Sequence, residues 1–91
     1  MEWVWDERKA EANYCKHGIR FETAVQVFDD PLFLTEADLH PDNDRWQTIG
    51  RVQMTTLFVV HAEFDDAGTG RIISARRASA AERKLYETVR F

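Results

Sequence analysis

Apolar positions along the chain switch between a period of two and a period near 3.6, and those switches predict its elements. Residues 2–5 alternate polar and apolar and are rich in β-formers, which predicts a short first strand. Asp6 is a good N-cap, residues 7–17 are strong helix formers, and Gly18 supplies a stop, so a first helix is expected there. On it Ala10, Asn13, Tyr14 and His17 share one face, an unusually polar one for a core stripe. A second helix is expected from residue 21 or 22 to residue 28, with Ala24, Val27 and Phe28 apolar. Asp29-Asp30-Pro31 ends it, because a residue before proline is pushed out of the helical region.

In the next expected strand Leu32, Leu34 and Glu36 face one way, and Phe33 and Thr35 the other. A polar loop follows over residues 40–44. Residues 45–51 and 55–64 read as two more strands, the second the stronger, and a turn over residues 65–70 leads to a last strand at 71–76. Ser79-Ala80-Ala81-Glu82 is a capping box opening a final helix to about residue 89, with Ala81, Leu85 and Val89 as its apolar stripe. The order β-α-α-β-β-β-β-α predicts an α+β fold: a mostly antiparallel sheet with helices packed on it, one domain over residues 1–91.

Composition agrees with a globular chain: 91 residues, 44% hydrophobic and 31% charged, with only 4 Gly and 2 Pro. One cysteine, Cys15, allows no internal disulfide. The longest apolar run, residues 57–60, falls far short of the roughly 18 residues a spanning helix needs. Residues 1–6 lack the basic and apolar regions of a secretory signal, so a cytoplasmic location away from membranes is expected. The net charge of −4 argues against strong non-specific binding to a polyanion. Acidic residues crowd the middle (Asp29, Asp30, Glu36, Asp38, Asp42, Asp44), whereas Arg8, Lys9, Lys16, Arg20, Arg71, Arg76, Arg77, Arg83 and Lys84 lie toward the ends. Any basic site must therefore be local.

Four stretches together resemble the BrnT family. Asp6 to Phe21 is similar to the pattern D-x-x-K-A-x-x-N-x-x-K-H-G-[VI]-x-F, and Phe21 to Pro31 to F-x-x-A-x-x-V-F-x-D-P. Ile49-Gly50-Arg51 resembles the family's I-G-R, and Arg71 to Glu87 its R-I-I-S-A-R-x-A-x-x-x-E-R-x-x-Y-E. The resemblance implies a RelE-like toxin of a type II toxin–antitoxin system that cuts RNA and halts translation. It also implies a BrnA-like ribbon-helix-helix antitoxin in a two-to-two assembly, with operator DNA met only through that antitoxin.

RNA cleavage without a metal needs help in deprotonating the 2′-hydroxyl, stabilisation of charge on the phosphorus oxygens, and a proton for the leaving 5′-oxygen. The sequence has no metal-ligand cluster at regular spacing, and no cofactor is expected. Arg51 and Arg76 are the leading phosphate ligands, since the guanidinium fork matches two phosphate oxygens; the alternative is a surface ion pair. His17 can act as general acid or base, or simply cap the first helix. Lys9 and Lys16 are candidates for phosphate contacts, or solvated surface charges. Glu82 can serve as base or orient an arginine, or close the capping box; Tyr86 can donate to a phosphate, or pack its ring. Asn13 reads as structural, His61 as a bonded core residue, Cys15 as a bystander, and Trp3, Trp5 and Trp46 as packing residues rather than base-stacking platforms. Two functions stay open: an endoribonuclease, or a non-catalytic module acting as antitoxin co-repressor or ribosome blocker.

Overall fold

A computed structural model describes residues 2–38, 45–63 and 67–88. The elements are β1 (Glu2–Val4), α1 (Glu7–His17), α2 (Phe21–Ala24) running into a 3-10 turn (Val25–Asp29), then β2 (Leu34–Ala37), β3 (Arg45–Val52), β4 (Thr55–Glu63), β5 (Thr69–Arg77) and α3 (Ala80–Thr88). The five strands form one mixed sheet in the order β1-β5-β4-β3-β2. β1 is parallel to β5, and the remaining pairings are antiparallel, so the expected α+β class and mostly antiparallel sheet are present.

The caps of α1 follow from its sequence. The Asp6 carboxylate accepts the Arg8 N–H at 2.8 Å and the Lys9 N–H at 3.3 Å. Gly18, at φ 72°, takes the left-handed conformation that a side chain disfavours, and its N–H reaches the Tyr14 carbonyl. The one buried residue of this helix is Asn13. Beyond residue 71, β5 has no partner strand on its outer side, and the Asn13 amide fills that role. Its Oδ1 accepts the Ala75 N–H at 3.0 Å, while its Nδ2 donates to the Ala75 and Ile19 carbonyls, both at 2.9 Å. A polar face on α1 is thus the means of attachment to a strand edge.

The expected second helix is interrupted. Regular α-helix stops at Ala24, and the chain tightens into the 3-10 turn, where β-branched Val25 and Val27 favour the α form least. The turn lies close on β3 because Gly50 has no side chain: a Cβ there would stand 2.9 Å from the Val27 Cβ. Phe21, Ala24 and Val27 pack with Leu57, Val59, Ile72 and Ala75 in the core on this side of the sheet. Other boundaries shift a little. β2 begins at Leu34, which leaves Leu32 and Phe33 in the preceding turn, and β5 begins at Thr69, inside the stretch expected to be a turn. Phe64, Asp65, Asp66, Val89 and the loop at 40–44 lie outside the described residues.

The helix α3 packs with a different side inward than its apolar stripe predicts. Ala81 and Leu85 are exposed, the latter at 40%, whereas Tyr86 is 2% exposed and Glu82 is half-buried. The tyrosine ring buries a large apolar area, and both polar groups on that side of the helix find partners, Glu82 at Arg76 of β5 and the Tyr86 hydroxyl at Asp30, just after the 3-10 turn. The capping box forms as expected: Ser79 N–H donates to Glu82 Oε1 at 2.8 Å, and Glu82 N–H to Ser79 Oγ at 3.2 Å.

Candidate active site

The register decides which side chains share a face. Gly50 meets the 3-10 turn, so Ile49 and Arg51 of β3 point to the opposite side. Arg51 pairs with Thr56, Ile49 pairs with Phe58, and Phe58 pairs with Arg76. Residues directly opposite in an antiparallel pair point the same way, so Arg51 and Arg76 stand on one face, two strands (about 10 Å) across and two residues (about 7 Å) along from each other. That is the face covered at this end by α3.

Arg76 is held on three sides. Its guanidinium lies 4.2 Å from the centroid of the Phe58 ring, a cation–π contact. Its two terminal nitrogens donate to the two Glu82 oxygens at 2.7 and 2.8 Å, and Nη1 also donates to the Arg77 carbonyl at 3.2 Å. The hydrogen bonds from Arg76 are the main reason that the Glu82 carboxyl sits below its ordinary range; the Ser79 N–H adds to the effect, and partial burial opposes it. The Arg76 pKa is raised for the reciprocal reason. Capping and contact with an arginine, set against each other as alternatives in the sequence, are thus both made by Glu82.

Arg51 is presented differently. Its guanidinium is exposed, 5.9 Å from the Tyr86 ring centroid, and among the described residues it makes no ion pair. Its backbone is anchored by Asp30, whose Oδ2 accepts the Arg51 N–H at 2.8 Å and the Tyr86 hydroxyl at 2.5 Å, while Oδ1 accepts the Leu32 N–H at 2.9 Å. Tyr86 thus packs its ring and spends its hydroxyl proton on Asp30. Beside these groups is an open groove of about 340 Å³, lined by Gln26, Asp29, Asp30, Pro31, Arg51, Gln53 and Tyr86 among others. Two larger hollows, each of about 540 Å³, lie elsewhere, one against α1 and α2 and one against Trp3 and Phe28.

The structure brings Arg51, Arg76, Glu82 and Tyr86 together, and leaves Lys9, Lys16 and His17 apart. Those three are on α1, in the layer that packs against the core on the other side of the sheet. Among the described residues no hydrogen bond or ion pair links them to the arginines. Lys9 and Lys16 are exposed and His17 is half-buried. The sequence reading missed Asp30, which it took as a helix stop; the signal available was its place in the Phe28-Asp29-Asp30-Pro31 stretch of the family-like pattern. It also missed Phe58, the platform beneath Arg76.

His61, Trp3 and Trp5 take the structural roles expected, whereas Trp46 is left exposed. His61 is buried, its Nε2 shares a hydrogen bond of 2.7 Å with Thr48 Oγ1, and Thr48 Oγ1 is 2.8 Å from Thr35 Oγ1. Its ring meets Trp3 and Phe28 edge-on, and burial lowers its pKa to about 4. Trp3 stacks on Phe28, and Trp5 meets Phe21 edge-on. Trp46 is 41% exposed and sits on the strand face opposite Arg51. Among the described residues no three His, Cys, Asp or Glu side chains gather as a metal site, and no helix is long and apolar enough to cross a membrane.

The molecule is thus a small α+β protein with an arginine-bearing sheet face beneath its last helix. Its sequence matches the family model described as ribonuclease toxin, BrnT, of type II toxin–antitoxin system over residues 5–82, and the chain belongs to that family. The family consists of ribonuclease toxins, so a protein antitoxin and an RNA target come with membership. Among curated proteins no sequence matches it.

Proposed function

We propose that this chain is an endoribonuclease that cleaves RNA without a metal, inhibits translation, and is neutralised by a BrnA-like ribbon-helix-helix antitoxin. The observation that carries the reading is the placement of Arg51 and Arg76 on one sheet face, with Glu82 in contact with the second of them. The strand arrangement, closed at one end by α3, supports a RelE-like layout.

A scissile phosphate entering beside Arg51 takes over donors of Arg76 that Glu82 now occupies. Released from that pair, the carboxylate rises toward its ordinary pKa and becomes a better base, since its depression comes first from the Arg76 hydrogen bonds. Glu82 then takes the proton of the 2′-hydroxyl, the 2′-oxygen bonds to phosphorus, and the P–O5′ bond breaks as O5′ takes a proton from water. The two guanidinium groups hold the charge that builds on the non-bridging oxygens. Asp30 and Tyr86 fix the backbone at Arg51 and the position of α3. Lys9, Lys16 and His17 have no part in this step; on α1 they remain available for outlying RNA contacts.

The assembly is proposed as two toxins with two antitoxins in the cytoplasm, operator DNA being met only through the antitoxin. One observation favours a second reading, a non-catalytic co-repressor or ribosome blocker: the fork of Arg76 is already filled. A labelled RNA incubated with the purified protein and a chelator separates the two. We expect cleavage by the wild type and a loss of about 100-fold or more in Arg76→Ala, with little change in melting temperature. An Arg76→Ala variant that cuts RNA and arrests growth as well as the wild type would overturn the catalytic reading.

A further inference from the structure

The register puts four arginines, not two, on the face that carries α3. Arg45 and Gln47 share the side of Ile49 and Arg51 along β3. Ala62 of β4, four residues from Phe58 on the same side, pairs with Arg45 on one flank and with Arg71 on the other. The irregularity at Val60/His61 places the extra residue in β5, which is why Arg71 returns to this face at an odd spacing from Arg76. Of the five arginines within the strands, only Arg77 points to the core side, across from Leu57.

Arg71 is exposed and Arg45 half-buried, and among the described residues neither makes an ion pair or a side-chain hydrogen bond. Among the described residues, the carboxylates on their side are Glu36 of β2, opposite Gln47; Asp38, which continues that alternation opposite Arg45 and donates its N–H to the Arg45 carbonyl at 2.9 Å; Glu2 of β1; and Glu82, which is committed to Arg76. Among the described residues, Arg45, Arg51 and Arg71 thus stand on a single side without an ion pair, in a chain of net charge −4. Arg45 lies six residues from Arg51, or about 20 Å along the strand.

We propose that Arg45 and Arg71 form a second phosphate-binding point, so that the substrate is an unpaired RNA strand lying along the central strands from this pair to Arg51 and Arg76. The proposal rests on the nuclease reading and adds the class of substrate to it. Successive phosphates of one extended strand reach the two points in turn. A short RNA reaches only one of them, so length governs affinity.

The test uses the full chain and a fluorescent, fully 2′-O-methylated single strand of about 12 nucleotides, which binds but offers no nucleophile. We expect the Arg45→Ala/Arg71→Ala double variant to bind roughly tenfold more weakly. Its plot of log affinity against log salt should be shallower by about 1.4, for two lost phosphates on a single strand. Arg45→Lys/Arg71→Lys restores most of the slope, which a folding defect would not. Unchanged affinity and slope in the alanine variant, no RNA binding by the wild type, or tighter binding of a duplex than of the single strand would each overturn the proposal. Cleavage of unmodified RNA by the wild type is scored in parallel. If it binds the methylated strand as expected but leaves unmodified RNA intact, the nuclease reading fails while the binding track stands.

Discussion

The two faces of the sheet are built by different physics. On one, Phe21, Ala24 and Val27 close over Leu57, Val59, Ile72 and Ala75, and the buried polar residues there, Asn13, Thr48 and His61, each hydrogen-bond to other protein groups, although His61 Nδ1 has no partner among the described residues. On the other, α3 is seated by the Tyr86 ring and by the polar contacts of Glu82 and Tyr86, while its leucine looks outward. The first face gives the molecule its stability. The second leaves Arg51 and Arg71 exposed and Arg45 and Arg76 half-buried. Apolar closure excludes water and polar ligands alike, so the face not closed this way is the one on which the proposed phosphodiester site is placed.

The contrast can be broken at graded cost. Leu57, 1% exposed in the closed face, should cost about 2–5 kcal/mol when cut to alanine, through lost transfer energy and the cavity left behind. Denaturant unfolding measures this, and RNA cleavage per folded molecule should be retained. Next comes His61. Its folded pKa of about 4 lies below the ordinary 6.5, so the unfolded chain binds its proton first as pH falls. This group's contribution is therefore complete above about pH 6.5, declines through the interval, and is lost below about 4, a change of roughly 3 kcal/mol. A His61→Phe variant, if folded, should show a flatter dependence of stability on pH over that window. Equal slopes in the two proteins would refute the assignment.

Smaller effects belong to the open face. Tyr86→Phe keeps the ring and removes the bond to Asp30, which should cost about 1 kcal/mol, read as a lower denaturation midpoint. Leu85→Ser should stay within about 0.5 kcal/mol of wild type, because that side chain is already 40% exposed. If Leu85→Ser proved as damaging as Tyr86→Phe, the orientation of α3 described above would be wrong.

Legibility followed the range of the forces involved. The cap at Asp6, the stop at Gly18 and the capping box of Ser79 and Glu82 were readable because each partner lies within a few residues of the other. The strands were readable from alternation, and the family-like pattern, rather than any local physics, pointed to Arg51, Arg76, Glu82 and Tyr86, which the fold brings near one another. The shift from α-helix to 3-10 turn after Ala24 was not, because it depends on how closely β3 approaches at Gly50. Nor could spacing alone separate Lys9, Lys16 and His17 from the arginine cluster, since nothing in α1 itself says which layer it joins.

By itself, then, the sequence determined the succession of strands and helices, their caps, and the family to which the chain belongs. Only the tertiary structure decided that Asp30 would hold both Tyr86 and Arg51, that α3 would turn its tyrosine inward, and that Arg45 and Arg71 would share a side with Arg51 and Arg76. The reason is geometric: a strand's side chains alternate, so one residue of register or one bulge reverses the side on which every charge beyond it emerges.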